Sequence, residues 1–201
     1  KFIGSPQEKE FIEASTKTII TQVDVLRDLV SAFSNFAERE KLSFSKIDIN
    51  KLIEESVQLF SRQYENISFD IKKGHLEPLE VDTNKIQQVL NNILLNAIDA
   101  CEKVEKPVIN FETKTTKINS GKYCQITIND NGQGFDEDII KNAFEPYQTS
   151  KVHGKGLGLA IVKSIIDEHK GEINIDNSNV GATIKIILPI DQLKRGRAFS
   201  E

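Results

Sequence analysis

The reading of the chain turns on Lys151–Val162, "KVHGKGLGLAIV". Glycines at 154, 156 and 158 run into "LAIVKSIIDEH", an apolar stretch expected to be a helix. Backbone amides at a helix N-terminus are free to meet an anion, and glycine admits close approach, so phosphate is a natural ligand. The pattern is not a Walker loop, because no Lys-Ser/Thr pair follows four variable residues. It is not a Rossmann fingerprint either, because a loop rather than a strand precedes it. On these residues alone, a phosphate cradle and a flexible turn before a core helix are both open.

Working upstream, "FEPYQTSK" (144–151) has Pro146 ending a short helical turn and then a polar run into the glycines. Few apolar anchors lie in 145–155, the composition of a surface loop or a mobile lid. Before it, "DNGQGF" (130–135) ends a strand in an acid followed by two glycines. A carboxylate at the end of a buried strand needs donors, and an adenine amino group would serve as one. A plain Asn-Gly turn fits the same letters. Earlier still, "NNILLNAIDA" (91–100) sets Asn92 and Asn96 four residues apart, so both amides leave one face of an otherwise apolar helix. Such amides need partners, and a metal or phosphate oxygen would provide one.

The rest of the chain gives the frame. From Gln7 to about Glu40 no Gly or Pro intervenes, and Ile12, Ile19, Leu26 and Phe33 recur at heptad spacing. A helix of roughly 30 residues, ~45–50 Å long, is expected there, with a stripe that calls for partner helices. "KLSFSKID" reads as linker and short strand, and Asn50 as N-cap of an amphipathic helix Lys51–Arg62. "NISFDIKKG" reads as a strand, and Asp82 or Thr83 as cap of a helix over 84–103. Val108–Lys117 and Tyr123–Asn129 flank the turn "NSGK" as a hairpin, and "GEINIDN" and "ATIKIILPI" are the last strands. Strands joined mainly by short turns, mixed with helices, favour an α/β fold, a two-layer α+β sandwich with a mixed, mostly antiparallel sheet, over a doubly wound parallel one.

Composition agrees with a globular chain: 201 residues, 38% hydrophobic and 28% charged. Apolar runs such as Ile93–Leu95 are far short of a bilayer span. A net charge of −4 with interspersed signs makes nucleic acid an unattractive partner. Only the tail "QLKRGRAFSE" is locally basic. Cys101 and Cys124 form no CxxC pair and have no His cluster, which points to buried thiols in a reducing compartment. The chain starts at Lys1 and holds no Met, so it reads as a piece of a longer protein.

Asn92–Asn96, Asp130–Gly134, Phe144–Tyr147 and Gly154–Gly158, in that order and spacing, resemble the N, G1, F and G2 boxes of the sensor histidine kinase ATP-binding domain. The resemblance covers about residues 45–190, and the N-terminal helix resembles the second helix of the dimerisation and phosphotransfer hairpin. "LRDLVSAFSNFA" and "FEPYQTSK" are most similar to the NtrY-like nitrogen-regulation kinases. The resemblance implies a Bergerat-type (GHKL) fold with an incomplete dimerisation segment at 1–42, a catalytic ATP-binding domain at 43–192 and a tail at 193–201. It implies ATP and Mg²⁺ as cofactors, with Asn96 on the metal and Asn92 supporting it. Asp130 would take the adenine amino group, with Gly132 and Gly134 admitting the base. Gly156, Leu157 and Gly158 would present amides to the phosphates, and Tyr147 and Thr183 would border the nucleotide. Implied partners are a response-regulator receiver domain and a second copy through the N-terminal helix. The implied location is the cytoplasmic portion of an inner-membrane sensor.

Two departures stand out. None of His75, His153 and His169 lies in a helical His-Glu/Asp setting, so the phosphoacceptor is expected upstream of Lys1. Asp99 stands where many members of the family carry a lysine that meets phosphate. An acid facing inward there would repel the triphosphate, and Lys151 or Lys155 is the expected compensating cation. A gyrase-like ATPase would need a glutamate at position 92 to activate water, and an amide cannot act as that base. A degenerate nucleotide-binding or dimerisation module is the non-enzymatic alternative.

Overall fold

The computed structural model describes residues 12, 15, 16, 23, 42–119, 121–136, 140–146, 156–178 and 180–190. The chain divides into two units, Lys1–Lys41 and Leu42–Glu201. In the first, residues 12, 15, 16 and 23 are helical; the rest of the expected heptad helix lies outside the described residues.

The second unit runs β1 (Phe44–Ile47), α1 (Ile49–Gln63), β2 (Ser68–Lys72), β3 (Leu79–Asp82), α2 (Thr83–Ala100), β4 (Val108–Ile118), β5 (Gly121–Asp130), α3 (Gly158–Glu168), β6 (Glu172–Asn177) and β7 (Ala182–Pro189). Strand order in the main sheet is β2-β4-β5-β7-β6, and β1 pairs with β3 in a separate ribbon. Among the described strands only β2·β4 is parallel, and the other pairs are antiparallel. This is the mixed, mostly antiparallel sheet that the short turns demanded. The two-residue connection at 119–120 is the reason β4 and β5 can pair as a hairpin, with Asn119 at φ 53.

Period-2 alternation sorts the sheet into two faces. Ile109, Phe111, Ile126, Ile128, Ile184 and Ile186 point into the core, joined there by α2 through Ile86, Val89, Leu90, Ile93 and Leu94 and by α3 through Val162, Ile165 and Ile166. The opposite face carries polar cross-strand rows: Asp70, Asn110, Asn129, Thr183 and Asp176 in one, Lys72, Glu112, Thr127, Lys185 and Asn174 in the next. One face is therefore covered by helices and the other suits water. Leu94 is fully buried, and truncating such a residue to alanine costs about 2–5 kcal/mol.

Details differ from the sequence reading where distant partners intervene. The cap of α1 is Asp48, whose carboxylate accepts from Asn50 N–H and Lys51 N–H. Asn50 is instead drawn inward: its Nδ2 donates to Gly74 O at 3.1 Å, and Thr113 Oγ1 donates to its Oδ1 at 2.7 Å. Helix α2 stops at Ala100 with Cys101 as its C-cap, and 101–103 form a turn rather than a last helical turn. Strand β3 was not anticipated.

His169 closes α3 and is fully buried. Its Nε2 accepts from Asp82 N–H at 3.0 Å, so Nδ1 carries the proton and donates to Ile165 O at 2.7 Å. Phe44 packs edge-on against the ring at 5.4 Å. Asp82 caps α2 through Lys85 N–H and also accepts from Ser43 N–H at 2.9 Å. Burial alone would raise the Asp82 pKa, but the backbone donors of Ser43, Lys85 and Asn84 outweigh it and hold the carboxyl below its ordinary value. Both cysteines are free and buried, with burial pushing Cys124 up to about 12. No helix among the described residues is long and apolar enough to cross a membrane.

Candidate functional site

The first turn of α3 is open to an anion. Its N-cap is Leu157, which offers no side-chain acceptor, and no acid lies in the first turn. The first backbone bond runs from Ile161 N–H to Leu157 O at 3.0 Å, so the amides of Gly158, Leu159 and Ala160 have no intrahelical acceptor. Leu157 is buried and anchors this end, while Gly156 at φ 63 turns the chain into it. Against this end stands α2. Asn92 Nδ2 donates to Gly158 O at 3.5 Å, and a Cβ on Gly158 would lie 3.8 Å from Asn96 Nδ2. Both asparagines are half-buried, whereas Asp99 is exposed.

At the other end of α2 the glycine turn after β5 forms a second corner. Asp130 is 8% exposed, and its Oδ1 accepts from Gly132 N–H at 2.9 Å and Ala182 N–H at 3.3 Å. Burial pushes its pKa up, and these two donors offset only part of that. The carboxylate group has capacity for more than the bonds that Oδ1 receives here, so the site favours an incoming N–H donor. A Cβ on Gly132 would sit 2.7 Å from Ala100, and Gln133 N–H donates to Ala100 O at 3.2 Å, which presses the turn onto the end of α2. Gly181, at φ 88, has no room for a Cβ because of the Asp130 carbonyl. Gly134 takes φ 71.

Asn92, Asn96 and Ala100 follow one another at i, i+4 spacing, so one stripe of α2, about 12 Å long, runs from the uncapped helix end to the glycine turn. Acceptor carboxylate, side-chain amides and helix-end donors are thus arrayed in the order of a nucleotide's base, linkage and phosphates. Thr183 is brought near only through its backbone neighbour. Its hydroxyl donates to Asn129 Oδ1 at 2.7 Å, and alternation puts that pair on the sheet face away from Asp130. Ala182, not Thr183, reaches the carboxylate. Tyr147, Lys151 and Lys155 lie outside the described residues.

Sequence reasoning missed four contributors. Asn131 ties the turn to the preceding loop, with Nδ2 donating to Lys106 O and Oδ1 accepting from Val108 N–H, both at 2.8 Å. Asn177, Gly181 and Ala182 hold its far side. Only Gly181, in the turn-like "NVGAT", carried a signal.

Residues 81–192 match the model of the histidine kinase-, DNA gyrase B- and HSP90-like ATPase family. The nitrogen regulation protein NtrY of Azorhizobium caulinodans is 34% identical over 185 residues, covering 90% of this chain and 24% of that protein. The nucleotide-free catalytic domain of histidine kinase ThkA is 30% identical with a TM-score of 0.68, covering 77% of this chain and 100% of that one. ThkA in complex with the response regulator protein TrrA is 26% identical with a TM-score of 0.77, covering 97% of this chain and 55% of that one. The chain spans about a quarter to a third of the length of the curated relatives it matches. With more than half of its length matched by that family model, the chain belongs to the histidine kinase-, DNA gyrase B- and HSP90-like ATPase family.

Proposed function

We propose that this chain is the ATP-binding catalytic part of a sensor histidine kinase, which passes the γ-phosphoryl group of ATP to a histidine nitrogen and thence to a response-regulator aspartate. The observation that carries the reading is the single stripe of α2, Asn92, Asn96 and Ala100, joining the buried Asp130 acceptor to the uncapped N-terminus of α3. Asp130 accepts the adenine amino group, Gly132 and Gly134 leave the base room, and the amides from Gly156 through Leu157 to Gly158 meet phosphate oxygens. Asn96 and Asn92 fit a Mg²⁺ ion through their amide oxygens, and the ion, when bound, neutralises phosphate charge. Tyr147, Lys151 and Lys155 complete the phosphate side, and Thr183 acts by fixing the β5·β7 register beneath Asp130. NtrY and the ThkA catalytic domain support the kinase reading.

Residues 1–42 are the second helix of a dimerisation hairpin, 43–192 the catalytic domain and 193–201 a tail. Partners are a receiver domain, as for ThkA with TrrA, and a second copy. Asn92 disfavours hydrolysis, since an amide does not take a proton from water at neutral pH. The test is to incubate the chain with radiolabelled Mg·ATP and a polypeptide carrying a His-Glu/Asp helix with Thr/Asn-Pro beyond it. Acid-labile label on the histidine is expected. Intact ATP binding without label would sink the kinase reading in favour of a degenerate module, and steady phosphate release without label would favour an ATPase.

A further inference from the structure

The glycine turn is held at both ends by one rung of the sheet. Asn177, the last residue of β6, pairs with Ala182, the first of β7. From that rung Ala182 N–H reaches the Asp130 carboxylate at 3.3 Å, where the turn begins. Where the turn ends, the Asn177 side chain clasps Phe135 twice: Phe135 N–H donates to Oδ1 at 2.9 Å and Nδ2 donates to Phe135 O at 2.8 Å. A primary amide facing a peptide in this way reproduces a strand pairing, with one donor and one acceptor on each partner. The clasp also explains Gly134, where a Cβ would sit 2.9 Å from Asn177 Oδ1. Asn177 is itself exposed, and its backbone N–H is satisfied by Asp176 Oδ1 at 2.8 Å. An exposed side chain that makes two bonds to a backbone 42 residues away adds little to the core, so its consequence falls on the turn.

The geometry points to Asn177 as a positioning residue for nucleotide binding: it fixes the Gly134–Phe135 end of the turn, and so holds Asp130, Gly132 and Gly134 in the form that receives the base. The inference rests on the reading of this site as the adenine site. It predicts a loss that the base and ribose report in full, independent of the phosphates. The clasp holds the turn in one form, so removing it adds an ordering cost to binding.

The experiment measures adenosine, ADP and Mg·ATP affinities of the whole chain, of Asn177→Ala and of Asn177→Asp, by calorimetry. Asn177→Asp keeps the acceptor for Phe135 N–H and loses the donor to Phe135 O. Adenosine is neutral, so the added charge does not confound its binding. Asn177→Ala is expected to weaken all three ligands by a common factor of about five- to tenfold, with Asn177→Asp intermediate for adenosine. Hydrogen exchange in a peptide covering 130–136 is expected to quicken while one covering 123–129 stays unchanged, which general destabilisation would not produce. Unchanged affinities in both variants, or exchange that quickens equally in both peptides, overturns the proposal. A wild-type chain that binds none of the three ligands would instead refute the adenine-site reading itself.

Discussion

Replacing Asp130 by asparagine separates the two things this carboxylate does. Its shape is kept, but its acceptor capacity is halved. Oriented with Oδ1 toward the donors it now serves, Gly132 N–H and Ala182 N–H, the new Nδ2 faces the place where a base amino group would donate. Flipped, Nδ2 opposes the two backbone donors. Either way one donor meets another, and the charge-assisted bond is lost, worth about 1.5–3 kcal/mol or roughly 10- to 150-fold in affinity. Inosine triphosphate, with a carbonyl in place of the amino group, offers an acceptor instead, so Asp130→Asn should reverse or abolish the preference for ATP over ITP. Stability moves the other way. Burial raises the pKa of Asp130 in the folded chain, so its contribution to stability is fully present below the unfolded value and is lost as pH rises through the folded one. The variant removes that loss. The difference in melting temperature, variant minus wild type, should therefore grow as pH rises from acid toward neutral. Calorimetric titration with both nucleotides and melting curves at several pH values measure these effects. Undiminished ATP affinity, or a difference in melting temperature that ignores pH, would refute the argument that Asp130 is a buried, ionised acceptor.

Other perturbations test other parts. Gly181→Ala at φ 88 would drive a Cβ into the Asp130 backbone, whereas Gly134→Ala, at φ 71, meets the Asn177 side chain most closely and the Gly181 carbonyl only at 3.4 Å; urea unfolding should show a loss of about 2–4 kcal/mol for the first and a smaller one for the second. Asn96→Ala should reduce the Mg²⁺-dependent part of ATP affinity by about tenfold or more and leave metal-free binding nearly unchanged, read by titration with and without chelator. Asp82 is held below its ordinary pKa, so its contribution to stability is present above the unfolded pKa and is lost as pH falls through the folded one; Asp82→Asn should flatten the acid limb of a stability–pH curve. Cys124, at about 12, and Cys101, raised by burial and then by the Asp130 charge, should resist alkylation until denaturant unfolds the chain. Rapid labelling of either thiol in the native chain would count against the packing around it.

What could be read from the letters was what local physics decides. The apolar periodicity of Ile86–Ile98 and of Val162–Ile166 identified two helices, and alternation identified the long strands with their turn. The glycine clusters marked both corners of the site because a missing side chain is itself visible in sequence. What stayed hidden depends on partners far along the chain. Asn50 looks like a helix cap until Thr113, 63 residues on, takes its side chain. His169 reads in sequence only as the end of a helix, and its role waits on Asp82, 87 residues away, whose N–H donates to it. Strand β3 is short and finds its partner only in β1, so no pattern of its own announces it. Thr183 was assigned to the nucleotide by position in a motif, and the register with Asn129 turns its hydroxyl to the other face.

The places where local rules are broken gather at one stripe of α2. The uncapped N-terminus of α3 contrasts with α1 and α2, both closed by aspartate caps. The half-buried pair Asn92 and Asn96 interrupts a helix that is otherwise apolar inward. Asp130 is a buried carboxylate, whereas Asp82, the other one buried among the described residues, is satisfied well enough to be held below its ordinary pKa. Strained or crowded glycines at 132, 134, 156 and 181 complete the set. A chain selected for stability alone would cap that helix, replace the amides with leucine and remove the charge. A ligand with an exocyclic amine at one end and an anion at the other would meet Asp130 and the open helix end together, lying along the asparagines between them. Local departures that one ligand would resolve jointly favour a binding site over poor packing, and they favour the proposed phosphate role of Gly156 and Gly158 over a flexible turn.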